Sequence, residues 1–398
     1  MKMPLGLYIS VPFCKSKCSY CNFASDVFAG VRMQGYVDWL CADIATAEAI
    51  AIEAGGKFER EVDSIYFGGG TPSLLEPAQL QPIFTAIRER FDVAHDGEIT
   101  VECAPGTLSD AVIDALARGG VNRVSLGVQS FVDAEARSVG RLHTRDIALA
   151  DIALLRAAGI GNINVDLIAG LPHQTAASWE TSLDEVISSG VPHASVYMLE
   201  VDEDSRLGRE LIAGGARYHA HFVPDDGLTA ELYERACERL SATGIVQYEI
   251  SNFARPGKES RHNLKYWMRQ PYLGFGVDAH SMLRSASAEF EAARLAMAES
   301  LDEFMAEHSR GRLCHTTVAA QQAWEETFFL GLRMNKGVNL REIECQFGRE
   351  VVERAQPIVA EIIADDLAEM RGDRLCLTSR GRILSNEVFE KFLLQPAN

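Results

Sequence analysis

Three cysteines stand close together near the start of the chain, in the stretch CKSKCSYC. The spacing CxxxCxxC places the thiols of Cys14, Cys18 and Cys21 on one short loop, where thiolates can bind three irons of a [4Fe-4S] cluster. The fourth iron then has no protein ligand and can coordinate a substrate. Structural zinc needs four ligands, and the sequence has no second CxxC and no HxxxH pair. The pattern therefore predicts an iron–sulfur centre with one open iron.

A glycine-rich segment, FGGGTP from Phe67 to Pro72, follows the next β-rich run of the chain. Glycines let the backbone approach a ligand closely, and their free amides can bind a carboxylate. Polar groups also stand in or at the end of later β-rich runs, at Glu102, Gln129 and Asp166. Ligands bind at the carboxyl ends of parallel strands. We therefore expect these groups and the cysteines to lie together at that end of the sheet.

The elements that must position these residues are six short β-rich runs that alternate with helical stretches. The runs span residues 7–11, 64–69, 98–103, 123–130, 162–172 and 193–201. This alternation predicts an α/β fold with a parallel sheet, and six units favour a partial TIM-like (β/α)6 barrel over a doubly wound sheet. Periodicity alone leaves both arrangements open.

The 398 residues are enough for one large domain and a smaller one. We predict a core domain over residues 1–240, a connecting segment over 241–290 and a small, mostly helical C-terminal domain over 291–398. A winged-helix-like form of this last domain stays open. The Ala/Glu-rich composition after Glu289 indicates helix. The segment LCLTSRGRILSNEVFEKFL indicates a strand that turns into a helix.

Composition excludes several classes of protein. Hydrophobic residues make up 47% and charged residues 24%, which is typical of a globular chain. The net charge of -18 would repel phosphate backbones, so no nucleic-acid role is expected. No apolar run is long enough for a transmembrane segment, although peripheral membrane contact stays open. The first residues lack the features of a signal or transit peptide, which predicts a cytoplasmic protein.

The CxxxCxxC motif, with Tyr20 just before its last cysteine, resembles that of the radical S-adenosylmethionine (SAM) superfamily. The resemblance implies that the amine and carboxylate of SAM chelate the open iron. An electron from the cluster, supplied by a donor such as flavodoxin or ferredoxin, then cleaves SAM to a 5'-deoxyadenosyl radical. It also implies a radical SAM barrel as the fold, with SAM contacts at Tyr8, Tyr20, Gly69, Gly70, Thr71, Glu102, Gln129, Arg141 and Asp166.

A longer series of segments resembles the HemN/HemW group of porphyrin-related proteins, and it covers nearly the whole chain. It includes VECAPGTL, NRVSLGVQSF, NINVDLIAGLPHQT, QYEISNFARPG and YLGFGVDAHS. Oxidases of the HemN type usually carry a fourth cysteine two residues after the third, where this chain has Phe23. The HemW type has phenylalanine there and an HNxxYW motif, which is intact here and supplies His262, Tyr266 and Trp267 as candidate haem contacts. An imidazole can ligate haem iron, and aromatic rings can line a porphyrin.

The resemblance implies a haem chaperone of the HemW type. Such a protein would bind haem in addition to a [4Fe-4S] cluster and SAM, and would transfer the haem to an acceptor protein that the sequence does not identify. Two alternatives remain open. One is an oxygen-independent coproporphyrinogen III oxidase, and the other is a radical SAM enzyme that acts on haem. These alternatives leave open whether the chain is an enzyme.

Overall fold

One twelve-stranded sheet dominates the computed structural model, which describes residues 3–28, 30–306 and 314–393. Three further strands, β13 to β15, form a separate small sheet. The strands are β1 Leu5–Val11, β2 Glu61–Gly69, β3 Asp92–Cys103, β4 Arg123–Gln129, β5 Asn162–Ala169, β6 His193–Met198, β7 Val246–Glu249, β8 Asn252–Ala254, β9 Tyr272–Phe275, β10 His280–Arg284, β11 Ala292–Ala296, β12 Cys314–Val318, β13 Val338–Asn339, β14 Ala368–Arg371 and β15 Arg374–Leu377.

Sixteen α-helices lie in the described ranges, and those between β1 and β6 make the connections that parallel strands require. The helices are α1 Val31–Ala45, α2 Ala47–Glu53, α3 Pro77–Arg90, α4 Asp110–Arg118, α5 Asp133–Ser138, α6 Arg145–Ala157, α7 Ala176–Ser189, α8 Arg206–Ala213, α9 Asp226–Ser241, α10 Arg261–Trp267, α11 Leu301–Phe304, α12 Ala320–Gly331, α13 Leu340–Phe347, α14 Arg349–Ala364, α15 Ser379–Ile383 and α16 Ser385–Lys391.

The first six strands lie side by side in chain order, and every neighbouring pair among them is parallel. This arrangement confirms the predicted α/β fold and the partial (β/α)6 barrel. At one edge β9 pairs with β1 in parallel, and β10 to β12 continue in antiparallel order. At the other edge β8 and β7 pair antiparallel to β6. The sheet therefore stays open, with β12 and β7 as its two end strands in the described part of the chain.

The two faces of the parallel strands differ in chemistry. Outward residues such as Leu7, Ile9 and Val11 are fully buried against the surrounding helices. Inward residues are largely polar, and strands β4 and β5 supply Arg123 and Asn164 to the barrel interior. Because successive strand residues point to opposite faces, the same strands build a hydrophobic outer layer and a polar interior that can hold a polar ligand.

The C-terminal helices have a hydrophobic core of their own. It includes Trp324, Phe328 and Phe392 from α12 and the chain after α16, and the small sheet of order β13-β15-β14 packs with them. The predicted strand-to-helix segment is confirmed, because β15 is followed by α15 and α16. This part of the chain is mostly helical, as expected. Its winged-helix-like character stays a prediction.

The helix predicted directly after Glu289 is wrong. The Ala-rich residues Ala292–Ala296 form β11, which pairs with β10 and β12. Backbone pairing on both sides outweighs the helix preference of alanine, which is only a fraction of a kcal/mol per residue over most side chains. Residues 241–290 hold α10 and four strands that extend the barrel sheet at both edges. None of the helices in the described ranges is long and apolar enough to span a bilayer.

Candidate functional site

A cavity of about 600 Å³ lies inside the barrel and opens at the carboxyl ends of its strands. It brings together nearly all of the predicted cluster and SAM residues, although they are spread over more than 150 positions of the chain. Tyr8 is the exception, since it lines a smaller neighbouring cavity of about 270 Å³. The predicted residues that line the main cavity are Cys14, Cys18, Tyr20, Cys21, Gly69, Gly70, Thr71, Glu102, Gln129, Arg141 and Asp166.

The cysteine loop follows β1 directly and is held by its own hydrogen bonds. The Cys14 amide donates to the Asp26 carbonyl at 3.0 Å. The Lys17 ammonium donates to the carbonyls of Phe23 and Ser25, both at 2.6 Å. These bonds close the loop on itself, so the three thiols face the cavity from a fixed backbone.

Two side chains from other parts of the barrel contact the cysteine sulfurs. The Thr71 hydroxyl lies 3.8 Å from Cys14 Sγ, and Arg141 Nη1 lies 3.5 Å from Cys18 Sγ. Burial raises the pKa of the Cys21 thiol. A buried thiolate needs compensating positive charge, which Arg141 and bound iron would supply.

The described residues contain no group of three His, Cys, Asp or Glu side chains placed around one metal ion. The three-cysteine loop, its polar contacts and its position in the cavity wall fit a [4Fe-4S] cluster.

The glycine segment packs against the start of the cysteine loop. The amides of Gly70 and Thr71 donate to the carbonyls of Val11 and Phe13 at 2.8 and 2.7 Å. A Cβ on Gly70 would lie 2.6 Å from the Phe13 carbonyl oxygen, so no side chain fits there. The expectation that the glycine amides are free for a ligand is wrong for Gly70. The glycines instead let two backbones touch and so fix the loop at the cavity rim.

Two half-buried carboxylates line the cavity. Tyr66 donates to Glu102 Oε1 at 2.7 Å, and burial raises the pKa of Glu102 to about 7. Asn164 Nδ2 and the Ser125 hydroxyl donate to Asp166 at 2.7 and 3.1 Å, and burial also raises the pKa of Asp166. Both carboxylates are oriented acceptors for an amine or ribose hydroxyls.

Replacing Glu102 with glutamine is expected to remove a pH dependence from the stability of the ligand-free protein. A carboxyl whose pKa is raised on folding binds more protons in the native state, so the free energy of unfolding falls as pH rises from about 4.5 to 7. At roughly 1.4 kcal/mol per pKa unit, this group contributes a fall of about 3 kcal/mol. Urea unfolding at several pH values checks whether Glu102→Gln gains stability relative to wild type as pH rises. An identical pH profile for the two proteins would contradict the prediction.

Sequence reasoning missed the inward polar residues between the predicted positions. Arg123 is 1% exposed, lines the cavity and makes no ion pair in the described ranges, and its Nε has no hydrogen-bond partner there. Ser125, Asn164, Ser195 and Asn252 share the same lining. The signal that could have found most of them is the alternation of polar and apolar residues along the strands, as in RVSLG and NINVD.

The HNxxYW block lies at the opposite end of the barrel from the cysteines. His262 is fully buried in α10, where Nδ1 lies 3.0 Å from the Ser64 hydroxyl and Nε2 lies 2.8 Å from the Tyr266 hydroxyl. Burial lowers the pKa of His262 to about 3 and keeps the ring neutral. Glu98 accepts from the backbone amide of His262, and Lys265 Nζ lies 2.7 Å from Asp63.

These contacts make α10 a cover across the base of the barrel. In this structure His262 therefore has no free nitrogen for haem iron, which counts against its predicted role as axial ligand. Trp267 lines neither cavity. Its ring packs against the guanidinium of Arg333, whose Cζ lies 4.4 Å from the ring centroid. Tyr266 reaches the smaller cavity, and Asn263 of the same motif reaches the main one.

Comparison with known proteins defines the class first. Residues 8–186 match the model of the radical SAM superfamily, and residues 318–384 match that of the HemN C-terminal domain. The structure of coproporphyrinogen III oxidase from Escherichia coli, described as a radical SAM enzyme, superposes with a TM-score of 0.82 at 23% identity. The superposition covers 98% of this chain and 90% of that one, and at this identity it shows the fold alone.

Curated relatives narrow the class. The chain is 33% identical to the heme chaperone HemW of Lactococcus lactis over the whole of both proteins. It is 32% identical to the heme chaperone HemW of Escherichia coli, over 98% of this chain and 99% of that protein. The chain therefore belongs to the HemW family within the radical SAM superfamily.

Membership of the superfamily implies a [4Fe-4S] cluster and SAM, and the cavity residues fit both. A [4Fe-4S] cluster held by these cysteines would supply an electron for reductive cleavage of SAM. We propose that Cys14, Cys18 and Cys21 hold the irons, and that Glu102 and Asp166 bind and orient SAM. The remaining predicted contacts, Tyr8, Tyr20, Gly69, Gly70, Thr71, Gln129 and Arg141, stay proposals for individual roles. Gln129 has a left-handed backbone (φ 69°), a strained conformation for a non-glycine residue that often marks a ligand site.

Proposed function

We propose that this protein is a haem chaperone, which binds haem and transfers it to an acceptor protein while its barrel holds a [4Fe-4S] cluster and SAM. The full-length similarity to proteins named heme chaperone HemW supports this proposal. The single structural observation that carries it is Phe23. Its ring stands two residues after the last cluster cysteine, is 66% exposed, and lines both cavities.

An exposed phenyl ring at this place favours the binding of a flat apolar ligand beside the cluster. Aromatic side chains pack well against a macrocycle such as porphyrin. Covering each ring removes apolar surface from water and so lowers the free energy of the complex. In the oxidase type the corresponding position usually carries a fourth cysteine. Its replacement by Phe23 removes a thiol from the cavity rim and supplies an apolar contact.

The test is anaerobic reconstitution of the full-length protein with iron and sulfide, followed by two measurements on one sample. We expect about one haem to bind per chain, to move to a haem-free acceptor when one is added, and no conversion of coproporphyrinogen III. The control is the reconstituted protein without SAM. Turnover of coproporphyrinogen with release of 5'-deoxyadenosine would overturn the chaperone proposal in favour of the oxidase.

The proposal includes partners that neither the fold nor the relatives identify. These are the haem acceptor and an electron donor such as flavodoxin or ferredoxin. The cytoplasmic location predicted from the sequence is a proposal as well. Co-purification under anaerobic conditions and cell fractionation test them separately.

A further inference from the structure

We propose that His280 is the protein ligand of haem iron, and that the smaller cavity of about 270 Å³ receives one edge of the macrocycle. This inference rests on the proposed haem-binding function and names its site. The cavity lies between β1 and the edge strands β9 and β10, and it adjoins the main cavity, with which it shares Phe23, Gly69 and Asp278. Its aromatic lining is Tyr8, Phe23, Tyr266 and Tyr272.

The first argument concerns which histidine ring nitrogens are free to coordinate haem iron. Among the described residues that line the two cavities, His280 is the one histidine. Its side chain is 65% exposed, and neither ring nitrogen has a hydrogen-bond partner in the described ranges. His262, by contrast, is fully buried with both nitrogens engaged. A neutral, accessible imidazole is what haem iron requires from an axial histidine.

The second argument is the carboxylate beside His280. Asp278 Oδ1 lies 3.7 Å from His280 Nε2, and Asp278 has a left-handed backbone with φ 56°. At this distance the carboxylate makes no hydrogen bond to the ring, but its negative charge favours a cationic centre such as ferric iron beside His280. Asp278 also lines both cavities. The strained residue therefore stands between the proposed haem ligand and the SAM cavity.

The third argument is the shape and chemistry of the surroundings. Phe23 is shared by the two cavities, and Tyr266 and Tyr272 meet edge to face with ring centroids 4.6 Å apart. A volume of 270 Å³ is below the ~300–1,000 Å³ of a pocket that encloses a whole ligand, so it accepts part of a macrocycle. The exposed ring of Phe23 can then cover the remaining porphyrin face.

A cation for the acidic propionates is also close. Ala296 lies opposite His280 in the β10–β11 pair, so Arg294, two residues away, projects from the same face of the sheet. Its guanidinium contacts Glu326 at 2.6 Å, and its own side chain is 47% exposed. The exposed part of this guanidinium can pair with a propionate that points away from the cavity.

The experiment titrates ferric haem into the full-length, cluster-reconstituted protein and records the Soret and visible bands, the EPR spectrum and the dissociation constant. We expect His280→Ala to lose the bands of histidine-ligated haem and to bind haem at least tenfold more weakly. Added imidazole should restore those bands in His280→Gly, because it can occupy the vacated position. SAM affinity and cluster absorbance should stay unchanged in both variants.

The matched control is His95→Ala, since His95 is exposed on β3 and lines neither cavity. Unchanged bands and affinity in His280→Ala would overturn the ligand assignment while leaving the haem-binding function intact. Wild-type protein that takes up no haem would overturn both proposals.

Discussion

Replacing Cys18 with serine is expected to abolish the iron–sulfur cluster while leaving the fold in place. Thiolates are the ligands that hold such clusters, and a serine hydroxyl is a far harder and weaker donor. Iron content should fall from about four per chain towards zero, with loss of the visible charge-transfer absorbance. Cys18 is buried and its sulfur contacts Arg141 and Tyr20, both of which a serine hydroxyl can also bind, so the free energy of unfolding of the cluster-free protein should change by only about 1 kcal/mol.

A matched control for this experiment lies in the same cavity. Cys103 also lines it but stands outside the CxxxCxxC motif, and burial raises the pKa of its thiol to about 12, so it stays protonated. Cys103→Ser should keep its cluster after the same reconstitution. Full iron content in Cys18→Ser, or equal loss in the two variants, would show that the ligands have been assigned wrongly.

Replacing His262 with alanine is expected to destabilise the protein strongly without removing a haem ligand. The change leaves the hydroxyls of Ser64 and Tyr266 without their partner and empties the space beside the ring of Tyr66, whose centroid lies 5.5 Å away. An unmade buried hydrogen bond costs about 1–3 kcal/mol, and a cavity in a packed interior adds to it. We expect a loss of about 4 kcal/mol in urea unfolding.

The haem titration of the same variant separates structure from ligation. If His262 is a structural residue, the folded fraction of His262→Ala binds haem with the wild-type bands, whereas His280→Ala does not. His95→Ala, at an exposed position, should change the free energy of unfolding by less than about 0.5 kcal/mol. A His262→Ala protein of normal stability that no longer binds haem would restore the axial-ligand interpretation.

The order of the barrel strands and the convergence of the site could be predicted because both depend on local patterns. β-rich runs alternating with helices indicate parallel strands, and the position of Glu102, Gln129 and Asp166 on those runs places them at one end. The start of β3 at Asp92 rather than at residue 98 escaped prediction, because DVAHDG has little β preference and pairs only through its neighbour β2.

The residues around His262 show where sequence reasoning stops. Its partner Ser64 lies 198 positions away, and nothing in HNxxYW distinguishes a histidine that binds iron from one that closes a barrel. The edge strands β9 to β12 were missed for a similar reason, since each depends on a neighbour already in the sheet. His280 gained significance only when the fold placed it beside Phe23 and Asp278.

The cover formed by α10 has a consequence for the order in which ligands come and go. With α10 across the base of the barrel, we expect SAM to enter and leave past the cysteine loop, where the exposed Phe23 lines the cavity. A macrocycle resting on Phe23 narrows the same passage. If haem binds as proposed, we therefore expect sequential loading, with SAM first and haem last, and exchange of SAM only after the haem has left.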